Sequence, residues 1–147
     1  MIFNYNDGGR KLAGYVGDTG DCVCRAVAIA SGRPYQEVYD RLAEGNATQR
    51  RSKHRRASFG KRTASRGIAV KRKWFQEYMR ELGFEWTPTM FVGQGCKVHL
   101  KEEELPKGKL VVAVSKHYTA VIDGVINDTY DPSRDETRCV YGYFTKK

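Results

Sequence analysis

The chain has 147 residues, with 26 Lys and Arg against 17 Asp and Glu, for a formal net charge of +9. No run approaches the roughly 18 apolar residues of a membrane span, and Met1 to Gly9 lacks the basic, apolar and small-residue succession of a secretory signal. A cytoplasmic protein folding as one domain over residues 1–147 is therefore expected, with no membrane partner. Four cysteines in this length do not make a disulfide framework, and a reducing compartment argues against bridges. The Cys22-Val23-Cys24 spacing is not that of a zinc knuckle, and Cys96 with His99 lacks a second pair, so neither a metal nor a cofactor is expected.

Residues Met1–Tyr5 read as a short strand, followed by a glycine-rich loop to Gly20. From Val23 to Ala30 every residue except Arg25 is apolar or small, which predicts a short helix buried on nearly all sides, from Cys22 to about Ser31. Asp21 is placed to cap it, and Gly32 with Pro34 ends it. Pro34 opens a second helix to Glu44, with Tyr35, Val38, Tyr39 and Leu42 on one face and Gly45-Asn46 as its stop. A third helix runs from about Val70 to Leu82, and Gly83 closes it. Trp74 and Phe75 read as core packing within it.

Beyond Gly83 the period switches towards two. Pro88 interrupts the first strand, Gly93-Gln94-Gly95 is a turn, Lys97–Leu100 a short strand and Lys101–Leu105 a helical turn. Lys109–Ser115 is apolar from Leu110 to Val114 and reads as a central strand. His117–Ile122 and Val125–Tyr130 flank Asp123-Gly124, a favoured two-residue hairpin turn, and Cys139–Phe144 is the last strand. Helices first and strands second give an α+β plan, with N-terminal helices packed on a C-terminal antiparallel β-sheet.

Three residues on these elements carry chemistry. Cys22 falls in the first turn of its helix, where unpaired N–H groups and the helix dipole favour thiolate. Counting outward from Asp123-Gly124 pairs Ile122 with Val125 and Thr119 with Asp128, which puts His117, Thr119, Asp128 and Tyr130 on one face. Asp128 is then the diagonal neighbour of His117 and can orient its imidazole, and Asp131 points the other way unless a bulge intervenes. A carboxylate holding one ring nitrogen leaves the other for a thiol, provided that the helix of Cys22 packs on this face. Cys24 lies about 200° round the helix from Cys22 and cannot serve the same site. Cys96 precedes an alternating segment rather than a helix, and Cys139 reads as strand packing.

This order of a helix-borne cysteine, a strand-borne histidine and an acid one strand later resembles the papain-like cysteine peptidases, most closely the small bacterial branch that cleaves leader peptides. The matching pieces are Asp21-Cys22 before Arg25-Ala26-Val27-Ala28, then His117-Tyr118-Thr119-Ala120-Val121-Ile122, then Asn127-Asp128 or Asp131-Pro132. The chain is also similar to small uncharacterised phage and prophage proteins in Gly20-Asp21-Cys22, Tyr35-Gln36-Glu37-Val38-Tyr39 and His117 through Asp131. The peptidase resemblance implies a papain-like fold and a peptide or protein substrate. It implies Cys22 as nucleophile, His117 as base and then acid, and Asp128 as orienter. Val23 follows Cys22 where these peptidases usually carry glycine. Their oxyanion-hole glutamine, a few residues before the cysteine, has no counterpart around Val16, Asp18 and Thr19. The Cys22 backbone N–H with a side chain such as Gln94 could serve instead.

The charge is concentrated. No acidic residue lies between Glu44 and Glu77, and eleven Lys and Arg fall between Arg50 and Lys73, so the rest of the chain carries 9 − 11 = −2. Residues 47–69 lack periodicity and read as a basic loop or insertion bearing Arg50, Arg51, Lys53, Arg55, Arg56, Lys61 and Arg62. Such a run can bind nucleic acid through phosphates or dock on an acidic protein, and a solvated loop accounts for it equally well. Phe59 is its one aromatic residue, too little for a base-stacking platform. The alternative to a hydrolase is thus a non-catalytic papain-like binding protein that uses this loop.

Overall fold

A computed structural model of the chain describes residues 1–14, 21–48, 73–91 and 93–146. Its organising unit is the hairpin of β6 (His117–Ile122) and β7 (Val125–Asp128). Asp123 and Gly124 take φ of 49° and 82°, the paired positive values of the tight turn whose twist matches its strands. The register follows from that turn: Ile122 faces Val125, Val121 faces Ile126 and Ala120 faces Asn127. The apolar run Leu110–Val114 becomes β5 (Lys109–Val114), lying between β6 and β8 (Val140–Lys146). The remaining strands of this sheet are β1 (Ile2–Tyr5) and β2 (Phe84–Pro88), in the order β1-β7-β6-β5-β8-β2.

With the described helices α1 (Cys22–Ser31), α2 (Tyr35–Thr48) and α3 (Lys73–Glu81), the sheet makes an α+β fold. The sheet is mixed, which corrects the expected antiparallel one. β1 runs parallel to β7, with Ile2 beside Val125 and Tyr5 beside Asp128. A parallel neighbour needs a long connection, and the helices and strands between β1 and β7 supply it.

Strand alternation separates two apolar layers. Val111, Ala120 and Phe144 face the helices, where they meet Val27, Val38, Leu42, Phe75 and Met79. Leu110, Val112, Val114, Val121, Ile126 and Val140 pack on the other face with Leu100 and Leu105. β5 is therefore covered on both sides, and each of its fully buried valines contributes roughly 1.5–3 kcal/mol. Within the sheet, α1 makes its main contact with β6. Gly32 closes α1 at φ 74°, its N–H donating to the Ala28 carbonyl at 3.0 Å.

Gly45 does not stop the second helix, contrary to its expected role. α2 continues to Thr48, and Gly45 is the point where the Trp74 ring lies against the helix: a Cβ there would fall 2.2 Å from Trp74 Cε3. The glycine answers a need for space rather than for a turn. Phe75 is fully buried, edge-on to Phe144 at 5.7 Å between ring centroids, so the core reading of this helix stands.

Two of the four cysteines also depart from expectation. β3 (Met90–Phe91) and β4 (Gly95–Cys96) form a separate hairpin, and the expected strand at Lys97–Leu100 reduces to a bridge between His99 and Cys139. The Thr89 N–H donates to the Tyr141 carbonyl at 2.9 Å, and its hydroxyl to the Val140 carbonyl at 2.7 Å. This lays the hairpin on β8, and Cys96 and Cys139 are joined in a disulfide, with Cα atoms 5.8 Å apart. Cys139 is thus not simple packing. Such bridges persist in oxidising compartments, so the argument from reduced cysteines to a cytoplasmic location no longer holds. No described helix is long and apolar enough to cross a membrane.

Candidate active site

His117 begins β6 and Asp128 ends β7, so the hairpin register brings both to the same end of the sheet. His117 Nε2–H donates to Asp128 Oδ2 at 2.7 Å, and the Thr119 hydroxyl donates to the same oxygen at 2.7 Å. The other oxygen, Oδ1, accepts the Thr129 N–H at 2.7 Å and lies 3.8 Å from Arg25 Nη2. His117 and Asp128 are only 6% and 3% exposed, and the Tyr130 ring lies 5.1 Å from the imidazole, centroid to centroid.

Burial alone would lower the His117 pKa. Hydrogen bonds with Asp128 and Cys22 outweigh it and hold the imidazole at about 9. Burial alone would likewise raise Asp128, and its bonds from His117 and Thr119 keep the carboxyl below its usual range. The pair is therefore imidazolium and carboxylate at neutral pH. Both oxygens of Asp128 are engaged in hydrogen bonds.

Cys22, the first residue of α1, is half-buried and lies near enough to His117 to raise the imidazole pKa. Since Nε2 is held by Asp128, Nδ1 is the ring nitrogen left for a thiol. His117 and Thr119 stand opposite Val114 and Val112, and so belong to the face turned away from the helices. α1 thus packs on the face opposite to the expected one, against Ala120 and Val111, whose small side chains admit a helix. His117 and Cys22 are each the first residue of their element, and it is at these ends that Cys22 acts on His117.

Asp21 also differs from its expected part. It occupies the cap position, but its carboxylate caps no backbone N–H. It is 1% exposed and turned instead to Arg25 Nη1, to Arg10 Nε at 3.0 Å and to the Tyr35 hydroxyl at 2.5 Å. Two cations and a phenol compete successfully with the helix for one carboxylate. The N–H groups of the first turn, with no carbonyl partner inside a helix, gain none from it.

The other candidates lie elsewhere. Asp131 is exposed and accepts the Ser133 N–H at 2.9 Å, a turn contact that leaves His117 to Asp128. Gln94 is exposed in the β3–β4 turn, its N–H donating to the Phe91 carbonyl at 3.1 Å. That hairpin sits on β8, two strands from β6. Cys24 is fully buried, and burial pushes its thiol up to about 12, so it is core. Arg50, Arg51, Lys53, Arg55, Arg56, Lys61 and Arg62 lie outside the described residues, as does the segment 15–20 before Asp21. Among the described residues no group of three His, Cys, Asp or Glu is placed to hold a metal ion.

The sequence pattern places Thr119 opposite Asp128 without giving its hydroxyl a role, and it gives Arg25 none either. Arg25 had a signal: it is the one charge inside an apolar helix, four residues from Asp21 and three from Cys22. Compared with known protein families, curated proteins and solved structures, the chain has no match in any of the three.

Proposed function

We propose that the chain is a papain-like cysteine hydrolase, a peptidase or isopeptidase. One observation carries this reading: a buried carboxylate holds His117, and the thiol at a helix N-terminus lies near enough to raise the pKa of the same imidazole. In this scheme the attacking species is the thiolate, formed when the proton shared with His117 resides on the ring. Cys22 Sγ adds to the carbonyl carbon of an amide or isopeptide, and the oxygen takes the negative charge. The Cys22 N–H, at the start of α1 and not capped by the Asp21 side chain, is one donor for it. His117 Nδ1–H then protonates the departing nitrogen as the C–N bond breaks, leaving a thioester on Cys22. Water attacks the thioester, its proton passes to His117, and the C–S bond breaks to release the acid. Asp128 holds the ring in one orientation through both halves.

The alternative is a non-catalytic binder that engages nucleic acid or an acidic protein through the eleven cations of residues 50–73. The two are separated by iodoacetamide labelling of the free thiols against pH, read residue by residue, in the wild type and in His117→Ala. Cys22 should label far faster than Cys24 at about pH 6 and lose that advantage without His117. Labelling of Cys22 no faster than an ordinary thiol, or unchanged in His117→Ala, rejects the hydrolase. Affinity for nucleic acid that falls steeply with salt would then favour the binder.

A further inference from the structure

His117, Thr119 and Asp128 are fixed to one another by a single hairpin over a dozen residues, but Cys22 arrives on a separate element. Its place relative to His117 depends on how α1 seats on the sheet through a buried surface made of Val23, Cys24, Val27 and three alanines. Displacement of a reacting group by about 1 Å can cost on the order of 100-fold in rate. Something must pin the start of α1 to the end of the hairpin.

Arg25 is in that position. It lies one turn beyond Cys22 on the same side of the helix, with its side chain 11% exposed. Nη1 bonds Asp21, the residue before the nucleophile, and Nη2 lies 3.8 Å from Asp128 Oδ1. Asp21 is held from behind by Tyr35 and Arg10. The N-terminal loop presses on the same spot: a Cβ on Gly8, at φ 70°, would come within 3.1 Å of the Arg25 carbonyl oxygen. Charges alternate along this line, from Asp21 to Arg25 to Asp128 to His117. The planar guanidinium can address two carboxylates at once, which an ammonium does less well.

We propose that Arg25 is a positioning residue, locking the nucleophile's helix to the acid of the triad by bridging Asp21 and Asp128. The idea rests on the hydrolase reading for its purpose, but the bridge itself can be tested without it. Arg25→Met should slow Cys22 alkylation at about pH 6 roughly tenfold or more, with the pH profile moving towards that of an ordinary thiol. Arg25→Lys should recover part of the loss and serves if the methionine variant does not fold. A lowered Tm with an unchanged alkylation profile would mean that Arg25 only packs, and would overturn the proposal. In parallel, a double-mutant cycle of Arg25→Met and Asp128→Asn in urea unfolding should show coupling, and additive effects would also overturn it. If wild-type Cys22 has no alkylation advantage, the hydrolase reading fails, and the cycle still decides whether the bridge exists.

Discussion

Asp128 accepts two side-chain hydrogen bonds on one oxygen, from His117 at 2.7 Å and from Thr119 at 2.7 Å. All three residues sit within twelve positions, on a hairpin whose two-residue turn dictates the pairing. The histidine–acid half of the site is thus a local structure. The cysteine half is tertiary.

The raised His117 pKa makes stability depend on pH. Its contribution is fully present below the unfolded value of 6.5 and is lost as pH rises through about 9. Asp128 is depressed, so its contribution is present above an unfolded value of about 3.9 and lost as pH falls through its folded value. Both describe one bond and are not summed. Urea unfolding should find a plateau in mildly acidic to neutral solution and a decline on the alkaline side. Asp128→Asn should flatten that decline, and an equal slope in both proteins would reject the assignment.

Thr119→Val keeps the volume of a side chain that is 1% exposed but removes a donor to a charged oxygen. A loss of about 1.5–3 kcal/mol is expected, with Thr119→Ser losing less. Matching unfolding midpoints for all three proteins would mean that the hydroxyl contributes nothing to holding Asp128.

Cys96→Ser opens a bridge spanning 43 residues and should lower stability by about 2–4 kcal/mol. The loss belongs to the β3–β4 hairpin and β8, so Cys22 labelling should keep its pH profile. A profile that shifts with the bridge would place the hairpin in the site's mechanics.

Gly45→Ala sets two effects against each other. Alanine favours a helix interior by about 1 kcal/mol over glycine. Its Cβ would lie 2.2–2.6 Å from three atoms of the Trp74 ring, and overpacking of that kind costs about 1–3 kcal/mol. The clash should win, giving a lower Tm and altered Trp74 fluorescence. A stabilised variant would show that the ring moves aside freely.

The elements that the sequence determined by itself are those that rest on neighbouring residues. Asp123-Gly124 dictates the hairpin, the hairpin dictates register, and a period of two puts His117, Thr119 and Asp128 on one face. The apolar run Leu110–Val114 declares a strand covered on both sides, and the small residues after Cys22 declare a buried helix. What only the tertiary structure decided involves partners distant in the chain. Gly45 reads as a helix stop until Trp74 is seen against it. Asp21 reads as a cap until Arg10, Arg25 and Tyr35 take its carboxylate. The parallel seat of β1 beside β7, the Cys96–Cys139 bridge and the face on which α1 lies depend on loop closures that local preference does not encode. Local pattern fixes which way a side chain points along its own element. The packing of one element on another settles what that side chain meets.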